Sequence, residues 1–183
     1  MRSKREIEDS KFQAGATIVR LSKLKELNYL QNPENTKNEF YKSVFMEFVI
    51  ELDYLLNLPI FKRVIRKINF NDDIPQFKND LVGKYDDILS LIKFLRNTLC
   101  HATDYKKRYN AKTDQYLAYT FRTYKDFAYS MEGFDQCPYP EEIAVVFGEH
   151  VIFINRHIMR IFIDLCNHVL ELPDFVAYKN WVK

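Results

Sequence analysis

The chain has 183 residues, 27 basic against 25 acidic side chains for a net charge of +2, and is 47% hydrophobic with 15% aromatics. That length suits one domain with its own core. The apolar content excludes general disorder, and the even charge excludes a nucleic-acid binder recognisable by bulk charge, so any basic patch has to be local.

Only four glycines and six prolines occur. At the average usage of about 7%, glycine would be roughly three times as common, so a fold built of tight hairpins is disfavoured. No G-x-G-x-x-G or G-x-x-x-x-G-K exists, which excludes a dinucleotide fold or P-loop. The start, Met1-Arg2-Ser3-Lys4-Arg5-Glu6, is charged with no apolar core behind it, unlike a secretory signal. Residues 4–30 carry Ile18, Leu21, Leu24 and Leu27 at helical spacing, and Asn32-Pro33-Glu34-Asn35 is expected to break that helix. Residues 38–57 form a second helix, with Phe40, Val44, Phe48, Leu52 and Leu55 on one stripe. Pro59 ends it or opens a short basic helix from Ile60 to Ile68. Residues 69–78 read as a loop.

The clearest helix is expected from Asn79 to Ala102. Leu81, Tyr85, Ile88, Ile92, Leu95 and Leu99 alternate steps of four and three, one continuous apolar stripe. Residues 105–131 read as a basic, aromatic loop followed by a helix, with a short hairpin around Tyr119 and Phe121 as the alternative. Residues 133–140 form a turn-rich connector. A last long helix is expected from Pro140 to Leu172, with Ile143, Phe147, Val151, Ile154, Ile158, Ile161, Leu165 and Val169 on its stripe and Pro173 as its stop. The whole chain, 1–183, thus reads as a single all-α domain, a helical bundle of four to five main helices.

No apolar run reaches about 18 residues without charge, so no membrane span is expected. Cys100, Cys137 and Cys166 are odd in number, widely spaced and free of any C-x-x-C. A reduced, cytoplasmic protein with packing or surface thiols is the expectation. His150 and His157 are seven apart, about 10 Å along a helix and too far for one zinc. No metal site and no cofactor are expected.

One stretch carries chemistry: Phe94-Leu95-Arg96-Asn97-Thr98-Leu99-Cys100-His101. Around the helix, Arg96 lies about 60° to one side of the apolar stripe, while Asn97 and His101 lie roughly opposite the core. Asn97 and His101 are i and i+4, neighbours on one face. Arg96 and His101 are about 140° apart, so an ideal helix does not point them together. RNA brings its own nucleophile, the 2′-OH. A histidine near neutrality can move the proton, and an arginine can meet charge gathering on the phosphate oxygens. The competing reading has Arg96 paired with a surface acid and His101 on the last carbonyls of the helix.

This stretch resembles the R-x(4–6)-H motif of the HEPN family, in which a polar residue often follows the arginine and the motif sits near the end of a long helix. The resemblance is best over residues 80–105 and looser over the rest of the bundle. It implies an α-helical bundle and a metal-independent endoribonuclease in bacterial defence or a toxin–antitoxin system. Arg96, Asn97 and His101 would be catalytic, and the products a 2′,3′-cyclic phosphate and a 5′-hydroxyl. It also implies a homodimer with a composite active site, and an antitoxin or other defence-system partner. Some toxins of the family carry a modified tyrosine two residues after the histidine. Here that position is Thr103, and the nearest tyrosine is Tyr105.

Tyr105-Lys106-Lys107-Arg108-Tyr109 and Lys112 follow directly. Basic residues interleaved with aromatics suit single-stranded RNA, and a solvated loop is the plainer alternative. In some family members an acid from another helix supports the site. Glu47 and Glu51, with Asp53 nearby, are candidates, against a solvated acidic face. Residues 61–68 form a basic amphipathic segment that suits RNA, a partner or simple packing. The alternatives to a ribonuclease are a non-catalytic HEPN-like RNA- or protein-binding module, and an unrelated helical protein-interaction domain.

Overall fold

The computed structural model describes residues 4–66, 68, 88–100, 109–110, 115–116, 120–123, 141–147 and 150–182. Helix α1 spans Lys4–Glu26. It stops before the predicted Leu30 because Asn28 takes φ 51°, a left-handed conformation that asparagine tolerates at a helix end. Leu27 falls past the last turn and is exposed. A 3-10 turn, Pro33–Lys37, then opens with the Asn32 side chain accepting from the Glu34 N–H at 3.1 Å, the usual use of asparagine ahead of a proline.

Helix α2 covers Tyr41–Leu56. Phe48, Leu52 and Leu55 of its predicted stripe are fully buried, whereas Phe40 lies before the first turn and is exposed. Pro59–Phe61 makes a 3-10 turn that runs into α3, Lys62–Ile65. Phe61, Val64 and Ile68 are buried while Lys62, Arg63 and Arg66 face outward. The basic amphipathic segment is therefore packed on its apolar side. Helix α4 spans Ile88–Cys100, with Ile92, Leu95 and Leu99 buried as the stripe requires. Residues 79–87 and 101–102 of the predicted helix lie outside the described residues.

Between Tyr109 and Phe153 strands correct the expectation of an all-α chain. Strands β1 (Tyr109–Asn110) and β2 (Gln115–Tyr116) pair with each other. Strands β3 (Thr120–Thr123), β4 (Ile143–Phe147) and β5 (His150–Phe153) form an antiparallel sheet in that order. The predicted helix from Pro140 does not form. Ile143-Ala144-Val145-Val146-Phe147 is an unbroken apolar run rich in β-branched residues, which suits a buried strand. His150 and His157 consequently do not share a helix.

The helix begins only at Ile154, as a π-helical turn over Ile154–Met159 that continues into α5, Arg160–Val169. His157 is fully buried, and its Nδ1 accepts from the Phe153 N–H at 3.0 Å. A side chain one turn into the helix thus satisfies an orphan donor at its start, as a capping box does. The molecule remains mostly helical. Its core joins α1 (Ala14, Ile18, Leu21), α2, α4 and α5 to Ile143, Val145 and Ile152 of the sheet. Phe48 and Phe162 meet edge-to-face with centroids 5.5 Å apart, tying α2 to α5. After Pro173 the chain turns back. Phe175 packs on Phe61 at 5.2 Å, Asp174 pairs with Lys11 at 3.1 Å, and a last 3-10 turn, Val176–Trp181, lays Tyr178 against Gly15 of α1. Among the described residues no helix is long and apolar enough to cross a membrane.

Candidate active site

Helices α2 and α4 pack against each other, and one acid–base contact lies across their seam. Asp53 stands on the buried stripe of α2, one turn after Val49 and just short of Leu56, and is only 4% exposed. A carboxylate removed from water needs partners. Its Oδ2 forms an ion pair with Arg96, 3.1 Å from Nε. Its Oδ1 accepts from Asn57 Nδ2 at 3.0 Å, and the same amide donates to the Asp53 carbonyl at 2.7 Å. Asn57 therefore closes the end of α2 and braces the carboxylate at once.

Arg96 is held a second time. Its Nη1 donates to Asn97 Oδ1 at 2.6 Å. An ion pair at Nε and a hydrogen bond from Nη1 together hold the guanidinium in position. The side chain keeps 40% of its surface exposed, so the group is anchored from behind and open in front. Asn97 is half-buried, and its bond to Arg96 leaves its amide N–H groups as donors.

Of the predicted catalytic set, Arg96 and Asn97 are thus brought together. His101 lies outside the described residues. So do Tyr105, Lys106, Lys107, Arg108 and Lys112 of the basic loop, and Tyr109 is described only as a backbone position in β1 opposite Tyr116. The acidic candidates separate cleanly. Glu47 is exposed. Glu51 turns to α1, where it pairs with Arg20 and accepts from Thr17 Oγ1 at 3.3 Å. Asp53, two residues on, is the one that reaches Arg96. The competing picture of Arg96 on a surface acid is also corrected, since the acid is buried. The signal available in the sequence was a lone charge on an otherwise apolar helix stripe, a placement that demands a cation from a neighbouring element.

Beside this contact a cleft of about 260 Å³ opens between α2 and α4, lined by Asp53, Leu56, Asn57, Leu89, Ser90 and Lys93. Cys166 is buried away from the cleft on α5. Burial pushes its thiol up to about 12, with Lys25 and Ser22 acting the other way; it is a packing thiol. His168 is committed to the helix, with Nδ1 2.8 Å from the Asp164 carbonyl. Among the described residues no three His, Cys, Asp or Glu side chains cluster as metal ligands would.

No family model, curated protein or solved structure matches this chain. The chemistry has to be read from the site. A half-exposed guanidinium beside an amide whose N–H groups meet no acceptor among the described residues suits an anion with several oxygens, a phosphate above all.

Proposed function

We propose that this protein is a metal-independent endoribonuclease of HEPN type, acting in a bacterial defence or toxin–antitoxin setting. The observation that supports this reading is the double anchoring of Arg96 by buried Asp53 and by Asn97. Arg96 Nη2 has no partner among the described residues, and with the Asn97 amide it offers donors to a scissile phosphate. Preorganised donors of this kind stabilise charge as it develops, at no cost of reorganisation during the reaction. His101 follows Asn97 by four residues in sequence and supplies the proton transfer. The 2′-OH attacks the adjacent phosphorus, the 5′-oxygen leaves and takes a proton, and a 2′,3′-cyclic phosphate remains.

The test is direct. The protein is expected to cleave single-stranded RNA in the presence of EDTA and to leave DNA intact, because DNA lacks the attacking hydroxyl. His101→Ala is expected to lower the rate by about 10²–10⁴-fold, the usual contribution of a general acid or base. Cleavage by His101→Ala at the wild-type rate would overturn the assignment.

A second reading draws on the same contact. A guanidinium ion-paired to an acid of the next helix and bonded to its own neighbour is also what a structural cross-tie between helices looks like. A HEPN-like binding or regulatory module would keep the tie and lack the cleavage, and an RNA-binding protein inert on every RNA would establish it.

A further inference from the structure

The cleft next to Arg96 has its own recognition chemistry. Leu56 and Leu89 give it an apolar lining, and Asp53, Asn57, Ser90 and Lys93 a polar one. Both hydrogens of the Asn57 amide are spent on the two Asp53 oxygens, which fixes the amide's orientation. Asn57 Oδ1 has no donor among the described residues, so it is an acceptor beside the cleft. Lys93 is exposed and has no ion-pair partner among the described residues.

These groups are not scattered. Ser90, Lys93 and Asn97 are i, i+3 and i+7 on α4 and fall within about 60° of one another around the axis. His101 continues the same spacing in sequence. Asp53 belongs to both places: it lines the cleft and anchors Arg96. A strand laid along this polar ridge with a phosphate at Arg96 would carry its neighbouring base past Lys93 and over the cleft.

We propose that the cleft lined by Asp53, Leu56, Asn57, Leu89, Ser90 and Lys93 is a nucleobase subsite for single-stranded RNA, one nucleotide from the phosphate held at Arg96. The assignment rests on the ribonuclease reading. The leucines cover the faces of the base, Asn57 Oδ1 accepts from its amino edge, and Lys93 meets the connecting phosphate. An amino-bearing base such as adenine is favoured over uracil, whose carbonyls would face Asn57 Oδ1. The cleft is smaller than the roughly 300–1,000 Å³ pockets that enclose whole small molecules. It suits one ring of a polymer anchored elsewhere better than a free nucleotide.

Binding of fluorescent 2′-O-methyl octa-adenylate and octa-uridylate separates this subsite from catalysis, because neither strand can be cut. The wild type is expected to prefer octa-adenylate by about 2- to 10-fold, the range of one neutral hydrogen bond. Lys93→Ala is expected to weaken both strands alike and to reduce the salt slope by about one. Asn57→Ala is expected to abolish the preference. Ser90→Phe, which fills the cleft and leaves the Asp53–Asn57 contacts in place, is expected to do the same and decides the matter if Asn57→Ala misfolds. Wild-type affinity and preference in all three variants would overturn the subsite and leave the ribonuclease reading standing. Failure of the wild type to bind either strand at micromolar concentration would overturn both. Adenosine monophosphate competing as well as the octamer would overturn the RNA assignment in favour of a free nucleotide.

Discussion

Replacing Arg96 by alanine removes the cation proposed to bind phosphate and also strips the counter-charge from a carboxylate with 4% exposure. Breaking a fully buried pair costs about 3–5 kcal/mol. Arg96 is 40% exposed, and Asn57 still serves Asp53, so about 1–3 kcal/mol is the expected loss. The helical wheel alone makes Arg96 look dispensable to the fold; the contact with Asp53 reverses that. Arg96→Ala is expected to lower the urea midpoint, and the Asp53→Asn/Arg96→Ala double variant to recover part of it. Additive losses in that cycle would mean the pair is not coupled. His101→Ala is therefore the cleaner probe of chemistry. At the same scale, Cys166 in the folded chain keeps its proton up to about pH 12, whereas the ordinary thiol value is 9.0. Between those limits the folded state binds the extra proton, so its stability falls as pH rises through that window. Burial raises the Tyr41 hydroxyl in the same direction. Cys166→Ala is expected to flatten the alkaline loss, read from urea midpoints. In a Cys100→Ser/Cys137→Ser background, Cys166 is expected to resist alkylation at about pH 8 until the chain is unfolded.

At the scale of elements, the contact between α1 and the C-terminal turn has a sign that magnitudes decide. A methyl at Gly15 would enter the ring of Tyr178. Alanine gains about 1 kcal/mol of helix propensity over glycine. Displacing a half-buried tyrosine forfeits about 2 kcal/mol of packing. Gly15→Ala is expected to destabilise by about 1 kcal/mol, and the same change in a Tyr178→Ala background to stabilise; thermal unfolding of the four proteins checks it. The helices α1, α2 and α4 were legible because each repeats apolar residues at helical steps. Residues 143–153 were not. Ile143, Phe147 and Val151 stand four apart and fit a helix stripe, yet Ala144, Val145, Val146, Ile152 and Phe153 are apolar as well, so periodicity could not separate helix from buried strand. Gly148 and Glu149 are all that separates the paired Phe147 and His150, and a glycine so placed between two apolar runs is a hairpin signal. Asp53 was legible as a candidate but not as a partner. Its cation lies 43 residues away in sequence (96 − 53), and only the packing of α2 on α4 brings them together.

At the scale of the whole molecule, the resemblance to the HEPN family implies a site built from two motifs, and that requires a second copy. Arg96 is anchored in front of α2, with Asn97 half-buried beside it on the outer side of α4. A homodimer whose interface includes that side of α4 is expected, with two Arg96 groups turned to one cleft. Light scattering at micromolar concentration checks the assembly; a strict monomer that still cleaves RNA would show that one copy suffices.

The sharing of Asp53 between the interior and the site also shapes how such a protein can change over generations. On the ribonuclease reading, what retains His101 is selection for cleavage, so a lineage released from that selection would shed it first. Losing Arg96 alone costs stability, because it leaves the buried Asp53 carboxylate with Asn57 as its remaining partner among the described residues. Its replacement is viable chiefly together with replacement of Asp53, and an apolar pair at both positions would cost nothing or even gain stability. Inactivated descendants are thus expected to retain Arg96 and Asp53 long after the histidine has drifted, or to lose the two together.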